Sequence, residues 1–473
     1  MDVETVRTEA VRRGQGHLFT FWDELDERQR GELLDDVAQL DFDRLDRLIQ
    51  THVRSTPTTG LTTIPEPAEA WPACPDPSRR ATYEEAKTLG RQLIAEGKVA
   101  AMVVAGGQGT RLGFDRPKGE FTISPVMNKP LFQLFAEALL ATGKRYNRPI
   151  PWYVMTGPTT DAPTRQYFAE HDYFGLARED VFFFCQGVMP AVDRQGRILL
   201  DRKHRVSLSP DGHGGCLLAL ATREALRDMR RRGVEAVSYF QVDNPLVSPV
   251  DPLFVGLHRL TESEMSAIAV PKADDLERVG NFARVDGRLC VIEYSDLPEE
   301  LAHARNPDGT RTFDDGSIAV HAFSRTFLER LTQSEGSIAL PWHRAEKKVP
   351  YIDLASGERI VPERTNAVKT ELFVFDALPL ARQTLVLRQD RGECFSPVKN
   401  AEGVDSAATA RRDLSRRAAR WLETCGVNVP RTSDGEPDGV FEISSMLALD
   451  ADQLRSALGS PPVIEPGARF YLS

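Results

Sequence analysis

Gly106, Gly107 and Gly109 fall within four residues, and Arg111 and Lys118 follow them. The apolar run Ala100–Val104 and Ala105 lead into this segment, so it reads as a strand ending in a loop. Glycine lets backbone N–H groups approach an anion closely. Arginine adds a planar fork for phosphate oxygens, and lysine adds a compact point charge. The pattern points to a polyphosphorylated ligand, a nucleotide above all. Two familiar loops are excluded. No Gly-Lys-Ser/Thr occurs, so this is no Walker A loop, and counting G-x-G-x-x-G from Gly107 puts Leu112 at the last position, with Gly113 one residue late.

Three other residues could act on such a ligand. Asp243 closes the apolar segment Ala236–Val242 and precedes Asn244-Pro245. A carboxylate at a strand's end suits a metal between phosphates, and equally an Asx-type turn. Gln186 follows Phe182-Phe183-Phe184-Cys185, and its amide offers the donor and acceptor that fit a uracil edge. Asp376 reads as a second metal contact or as a strand-end carboxylate.

Gly-Gly-x-Gly-Thr-Arg-Leu-Gly with the following Pro117-Lys118-Gly119 resembles the signature of UDP-N-acetylhexosamine pyrophosphorylases and their UDP-glucose pyrophosphorylase relatives. Further segments agree in order: Trp152–Thr156, Phe184–Gly187, Pro210–Gly215, Val242–Asn244, Val291–Ser295, Lys369–Asp376 and Phe395–Asn400. The likeness begins near Gln15 and reaches the C-terminal region. It implies that UTP and N-acetylglucosamine 1-phosphate give UDP-N-acetylglucosamine and diphosphate, with magnesium, or manganese, as cofactor. Arg111, Lys118, Lys369 and Lys399 would serve the phosphates. Ala105, Gly106, Gly107, Gly109, Thr110, Gln186, Gly214, Gly215 and Asp243 would hold the nucleotide, and Asp243 and Asp376 the metal. His213, Asn244, Gly280, Asn281, Glu293 and Ser317 would line the sugar side. Two positions depart from the hexosamine enzymes. Their loop reads Gly-Asn-Gly-Gly where this chain has Gly212-His213-Gly214-Gly215, and they carry Asn in place of Ser317. Glucose or galactose 1-phosphate is therefore the alternative substrate, and a catalytically silent nucleotide-sugar binder is the remote one.

The elements that must position these residues follow from the pattern. At 473 residues, two or three domains are expected. Strand candidates at 100–105, 151–156, 181–184, 236–242, 266–270 and 289–294 alternate with helix candidates at 130–143, 162–170, 215–232 and 251–262. That alternation implies an α/β fold built on a doubly wound, Rossmann-like, mostly parallel mixed sheet, with ligands at the carboxyl ends of its strands. The resemblance adds that this is the nucleotidyltransferase, GT-A-like version. Residues 270–325 read as a β-rich excursion. Residues 1–98 read as an N-terminal helical extension with a proline-rich linker at 56–78. Residues 99–385 form the catalytic domain, and 386–473 a small C-terminal β-rich domain with one helix at 405–424.

Composition bounds the partners. The formal net charge of −10 argues against nonspecific nucleic-acid binding. No apolar run is long enough to span a bilayer. The six cysteines form no C-x-x-C pair, which fits a reducing, cytoplasmic setting. A monomer or homodimer is expected.

Overall fold

The computed structural model describes residues 3–55, 63–333 and 338–473. The chain forms two compact units. One comprises Met1–Thr62, Gln186–Leu218 and Ala339–Asp376, and the other Thr63–Cys185, Ala219–Ile338 and Ala377–Ser473. The boundaries expected at 98 and 385 both fall inside the second unit. Of the proline-rich linker, residues 56–62, Pro57 among them, lie outside the described residues.

The second unit is organised by a ten-stranded mixed sheet. Val99–Val104, sequence VAAMVV, lies at its centre and is almost wholly buried. It pairs in parallel with Ala236–Gln241 on one side and Trp152–Thr156 on the other. Trp152–Thr156 in turn pairs in parallel with Val181–Cys185. Continuous apolar runs of this kind suit parallel strands covered on both faces. Beyond Ala236–Gln241 the sheet turns antiparallel through Asp315–Ser324, which also receives Met265–Pro271 and Gly280–Val285. Gly280–Val285 forms a hairpin with Arg288–Ile292, turned by Asp286 and Gly287, both at positive φ. The expected β-rich excursion is this antiparallel half.

Helices cover the sheet where the apolar spacing places them, at Arg80–Ala95, Leu131–Tyr146, Asp161–Glu170 and Pro252–Leu260. The stretch read as one helix over 215–232 is two, Gly215–Thr222 and Ala225–Arg232, because Glu224 sits at φ 64°. The described part of the linker is extended as expected. Glu66–Pro67 pairs with Ala283 and Arg284, and Trp71 exchanges backbone hydrogen bonds with Val386 and Arg388. The C-terminal region carries helices of 18 and 7 residues beside two parallel five-residue strands, so helix outweighs strand there.

The first unit gathers the N-terminal helices Val3–Arg12, Glu27–Ala38 and Phe42–Leu48. Asp26 caps the second with a capping box. Within the expected helical extension, Gly16–Phe19 and Trp22–Glu24 form two short 3-10 turns, with Leu18, Phe21 and Leu25 buried. Their core is shared with Met189, Val192, Ile198, Leu200, Val206, Ile352 and Val368, residues far away in sequence. A three-stranded antiparallel sheet, with Ala367–Leu372 in the middle, completes this unit.

Candidate functional site

In the second unit the loop after Val104 closes on itself. Gly109 N donates to Arg116 O at 2.9 Å, and Lys118 N to Gly107 O at 3.1 Å. Gly113, at φ 68°, ends the short turn Thr110–Leu112. The Gly106, Gly107 and Gln108 amides donate to no other group among the described residues. They are therefore the donors this loop offers an anion. Arg111 is exposed. Lys118 is only 19% exposed and reaches Asp243, 15% exposed, with Nζ and Oδ2 4.0 Å apart.

The parallel pairing explains this meeting. Val104 stands opposite Gln241, so the two loops leave the sheet at adjacent carboxyl ends. Lys399 comes to the same place through the backbone. Val398 N donates to Asp243 O at 2.8 Å, and Lys399 Nζ lies 3.5 Å from Asp405. Asn244 acts as the brace. Its amide donates to Cys394 O at 2.7 Å and accepts from Ser396 N at 3.2 Å. It is 2% exposed, so its polar groups are spent on the protein and not offered to a sugar as expected. Sequence alone could not separate these roles, because its partners lie some 150 positions away.

The expected sugar-side residues of this unit share one stretch of sheet. Gly280 pairs with Ser317, and Asn281 with both Gly316 and Ile292, the neighbour of Glu293. Asn281 is buried, and its Oδ1 accepts from Lys272 Nζ at 2.8 Å. Lys272 was not anticipated. It is 4% exposed, and burial lowers its pKa. Ala319, two residues beyond Ser317, holds φ 54°, a conformation costly for alanine that turns the strand locally.

In the first unit, Gln186 and Gly187 precede the strand Val188–Pro190, which pairs antiparallel with Leu208–Pro210. That pairing sets Gly187 beside Asp211. The following glycine loop is pinned to the strand Ala367–Leu372. Leu372 N donates to Asp211 O, and Gly214 N to Leu372 O, both at 2.8 Å. A Cβ on Gly214 would lie 2.6 Å from the Phe373 carbonyl carbon. The close approach that requires this glycine is thus to the protein backbone.

His213 stacks on Phe373, with ring centres 5.3 Å apart, and its Nδ1 accepts from Val374 N at 3.2 Å. Burial holds its pKa down at about 4, with His343 adding to the effect. The ring is therefore neutral and carries its proton on Nε2. His343 also stacks on Phe373, with ring centres 4.4 Å apart, and its Nε2 lies 2.7 Å from Asp376 Oδ2. Asp376 thus already has an imidazole partner. Lys369 is half-buried on the central strand of the small sheet, and burial lowers its pKa.

Among the described residues, no three His, Cys, Asp or Glu side chains come together as a metal cage. Asp211 and His343 are site residues that the sequence motifs did not single out. Asp211 stands inside the Pro210–Gly215 segment, but only tertiary structure reveals its burial.

Comparison with known proteins identifies the family. Residues 73–414 match the family model described as UTP--glucose-1-phosphate uridylyltransferase. The chain is 37% identical to the human UDP-N-acetylhexosamine pyrophosphorylase-like protein 1, over 95% of this chain and 94% of that one. It is 35% identical to the UDP-N-acetylglucosamine pyrophosphorylase of Saccharomyces cerevisiae, over 95% and 96% of the two chains. Among solved structures it resembles the uridine diphosphate N-acetylglucosamine pyrophosphorylase of Trypanosoma brucei in complex with inhibitor. That match has a TM-score of 0.81 at 26% identity and covers 99% of this chain and 98% of that one.

Proposed function

Since the chain belongs to the UTP--glucose-1-phosphate uridylyltransferase family, we propose that it joins UTP and N-acetylglucosamine 1-phosphate to give UDP-N-acetylglucosamine and diphosphate. The observation that carries the chemistry is the Lys118–Asp243 pair together with a loop whose Gly106, Gly107 and Gln108 amides are unengaged. In the reaction a phosphate oxygen of the sugar phosphate forms a bond to the α-phosphorus of UTP. The bond from that phosphorus to the bridging oxygen breaks, and diphosphate leaves with its electron pair. No protein nucleophile is needed. The protein must align two anions and neutralise their charge.

The amides of Gly106, Gly107 and Gln108 and the guanidinium of Arg111 hold the β- and γ-phosphates, and Lys118 serves the phosphorus under attack. Lys399 and Lys369 add positive charge. Gln186 reads the uracil. His213 offers its Nε2–H to the ligand, while Asn281, Glu293 and Ser317 belong to the sugar side.

The residues present fit a magnesium ion. Magnesium takes one or two carboxylates and completes its shell with water and phosphate oxygens. Asp243 supplies one such carboxylate, with a lysine 4.0 Å away. When bound, the ion would neutralise phosphate charge and orient the reacting groups. Asp376 would have to release His343 before it could hold a metal. A cytoplasmic location fits these substrates, and no helix among the described residues is long and apolar enough to cross a membrane.

The test is diphosphate release from UTP across N-acetylglucosamine, N-acetylgalactosamine, glucose and galactose 1-phosphates, with magnesium or with excess EDTA. Turnover with the N-acetyl sugars, lost in EDTA and restored by magnesium, is expected. Preference for a plain hexose would mean that His213 and Ser317 report a changed pocket. Metal-independent turnover would strip Asp243 of its role as a metal ligand.

A further inference from the structure

The C-terminal region of the second unit contains a groove of about 450 Å³, within the size range of small-molecule sites. Helix Ala407–Thr424 contributes Arg411, Arg412 and Arg416 to its lining, and strand Ala468–Leu472 contributes Arg469. Among the described residues Glu436 is the one carboxylate in that lining. Such an excess of positive charge is unexpected in a chain whose net charge is −10.

The four arginines are not equivalent. Arg416 is spent, because its Nε and Nη2 donate to the two oxygens of Glu436 at 2.8 and 2.6 Å. Arg420 on the same helix and Arg431 beyond it pair in the same way with Glu393 and Glu423. Arg411 and Arg469 form no ion pair among the described residues. Arg411 Nη2 donates to Thr122 O at 2.7 Å, and the guanidinium lies 6.0 Å from the centre of the Phe121 ring. Arg469 Nη2 donates to Pro125 O at 3.0 Å and to Val126 O at 3.4 Å. Each is thus anchored at one nitrogen by neutral carbonyls, and its Nε and Nη1 donate to nothing among the described residues. Arg412 uses Nε alone, on its neighbour Asp413 at 3.1 Å.

An anchored guanidinium loses less freedom when it takes up a ligand than a loose one does. Its remaining donors form a fork that suits an oxyanion. A carboxylate carries one charge and can answer one such fork. A phosphate group carries roughly two charges and three acceptor oxygens, so it can answer several at once. We propose that this groove is a second anion site, sharing no residue with the Lys118–Asp243 site, and that it binds a small molecule through a phosphate group held by Arg411, Arg412 and Arg469. The proposal does not depend on the reaction assigned above.

The probe is inorganic diphosphate, titrated calorimetrically at low ionic strength into the natural protein, Lys118→Ala, Arg412→Gln, Arg411→Lys and the double variant Arg411→Gln with Arg469→Gln. The natural protein should bind at a site that Lys118→Ala leaves unchanged within about twofold. The double variant should weaken that site roughly tenfold or more, the scale of one lost charge-assisted hydrogen bond. Arg411→Lys keeps the charge but loses the fork, and should fall between the two. Arg412→Gln gives up only the bond to Asp413, so it should fold even where the double variant does not, and should weaken binding about threefold. Diphosphate release from UTP by the arginine variants should stay within about twofold of the natural protein. Absence of binding at millimolar diphosphate overturns the proposal. Binding that Lys118→Ala abolishes and the arginine variants leave intact also overturns it, because diphosphate would then occupy the candidate active site alone. Malonate that binds as tightly as diphosphate and is lost in the same variants would overturn the phosphate assignment. A fall in turnover to the level of Lys118→Ala in the double variant would make these arginines part of the reaction site and overturn a second one.

Discussion

Lys118→Ala removes a cation without disturbing the loop that carries it. The backbone bonds from Lys118 N to Gly107 O and from Phe121 N to Lys118 O do not involve the side chain. The fold should therefore survive, with Tm within about 2 °C, as for a substitution away from core contacts. The effect on turnover follows from the charge. Lys118 Nζ stands 4.0 Å from Asp243, and both side chains are mostly shielded from water. Two unit charges at that distance interact by about 4 kcal/mol at an effective dielectric constant of roughly 20. A phosphate oxygen at similar range draws on the same charge. Removing one preorganised donor to developing charge costs about 100- to 1,000-fold in kcat, close to the same energy. The assay is steady-state diphosphate release over a UTP titration at fixed magnesium. Lys118→Arg keeps the charge but changes its shape, and should fall between the natural protein and Lys118→Ala. A folded Lys118→Ala protein within fivefold of natural kcat/KM would refute the reasoning, because no lysine of that charge could then be near the reacting phosphorus.

Gly214→Ala should fail to fold stably or lose about 2 kcal/mol or more, since the new Cβ meets backbone atoms of Leu372 and Phe373 at 2.6–2.7 Å. Denaturant melts would detect it, and an unchanged midpoint would mean that the glycine loop is not seated on that strand. Asn244→Ala should cost about 2–3 kcal/mol by orphaning the buried Cys394 carbonyl and Ser396 amide. Normal thermal stability in that variant would argue against the brace. His213 is held at about 4, below its ordinary 6.5, so the folded state resists its protonation. Its stabilising contribution is complete above pH 6.5 and is lost as the pH falls toward 4, by up to about 3 kcal/mol. His213→Asn should therefore lose less stability than the natural protein between about pH 7 and pH 4.5. His258, held at about 3, is common to both proteins and cancels. An equal acid loss in both would show that the imidazole is not desolvated.

The glycine loop, the strand that feeds it and the order of alternating elements were legible in the sequence because they are local. Apolar runs such as Val99–Val104 demand burial, and glycines at 106, 107 and 109 permit an anion cradle wherever the chain goes. The pairing of strands was not local. Val104 lies opposite Gln241, and only that register carries Lys118 to Asp243. The same distance in sequence hid the division into units, in which residues 3–55 share a core with Met189 and Val368. It also hid which polar residues are spent. Asn244 and Asp376 look like ligand contacts beside their motifs, yet one holds Cys394 and Ser396 while the other holds His343. Asp211 looks like a turn residue, yet it is buried. Residue type determines what a side chain can donate, accept or charge. Tertiary structure decides which of those capacities the protein uses internally and which remain for a ligand, because burial and partners arise from contacts that no local pattern specifies.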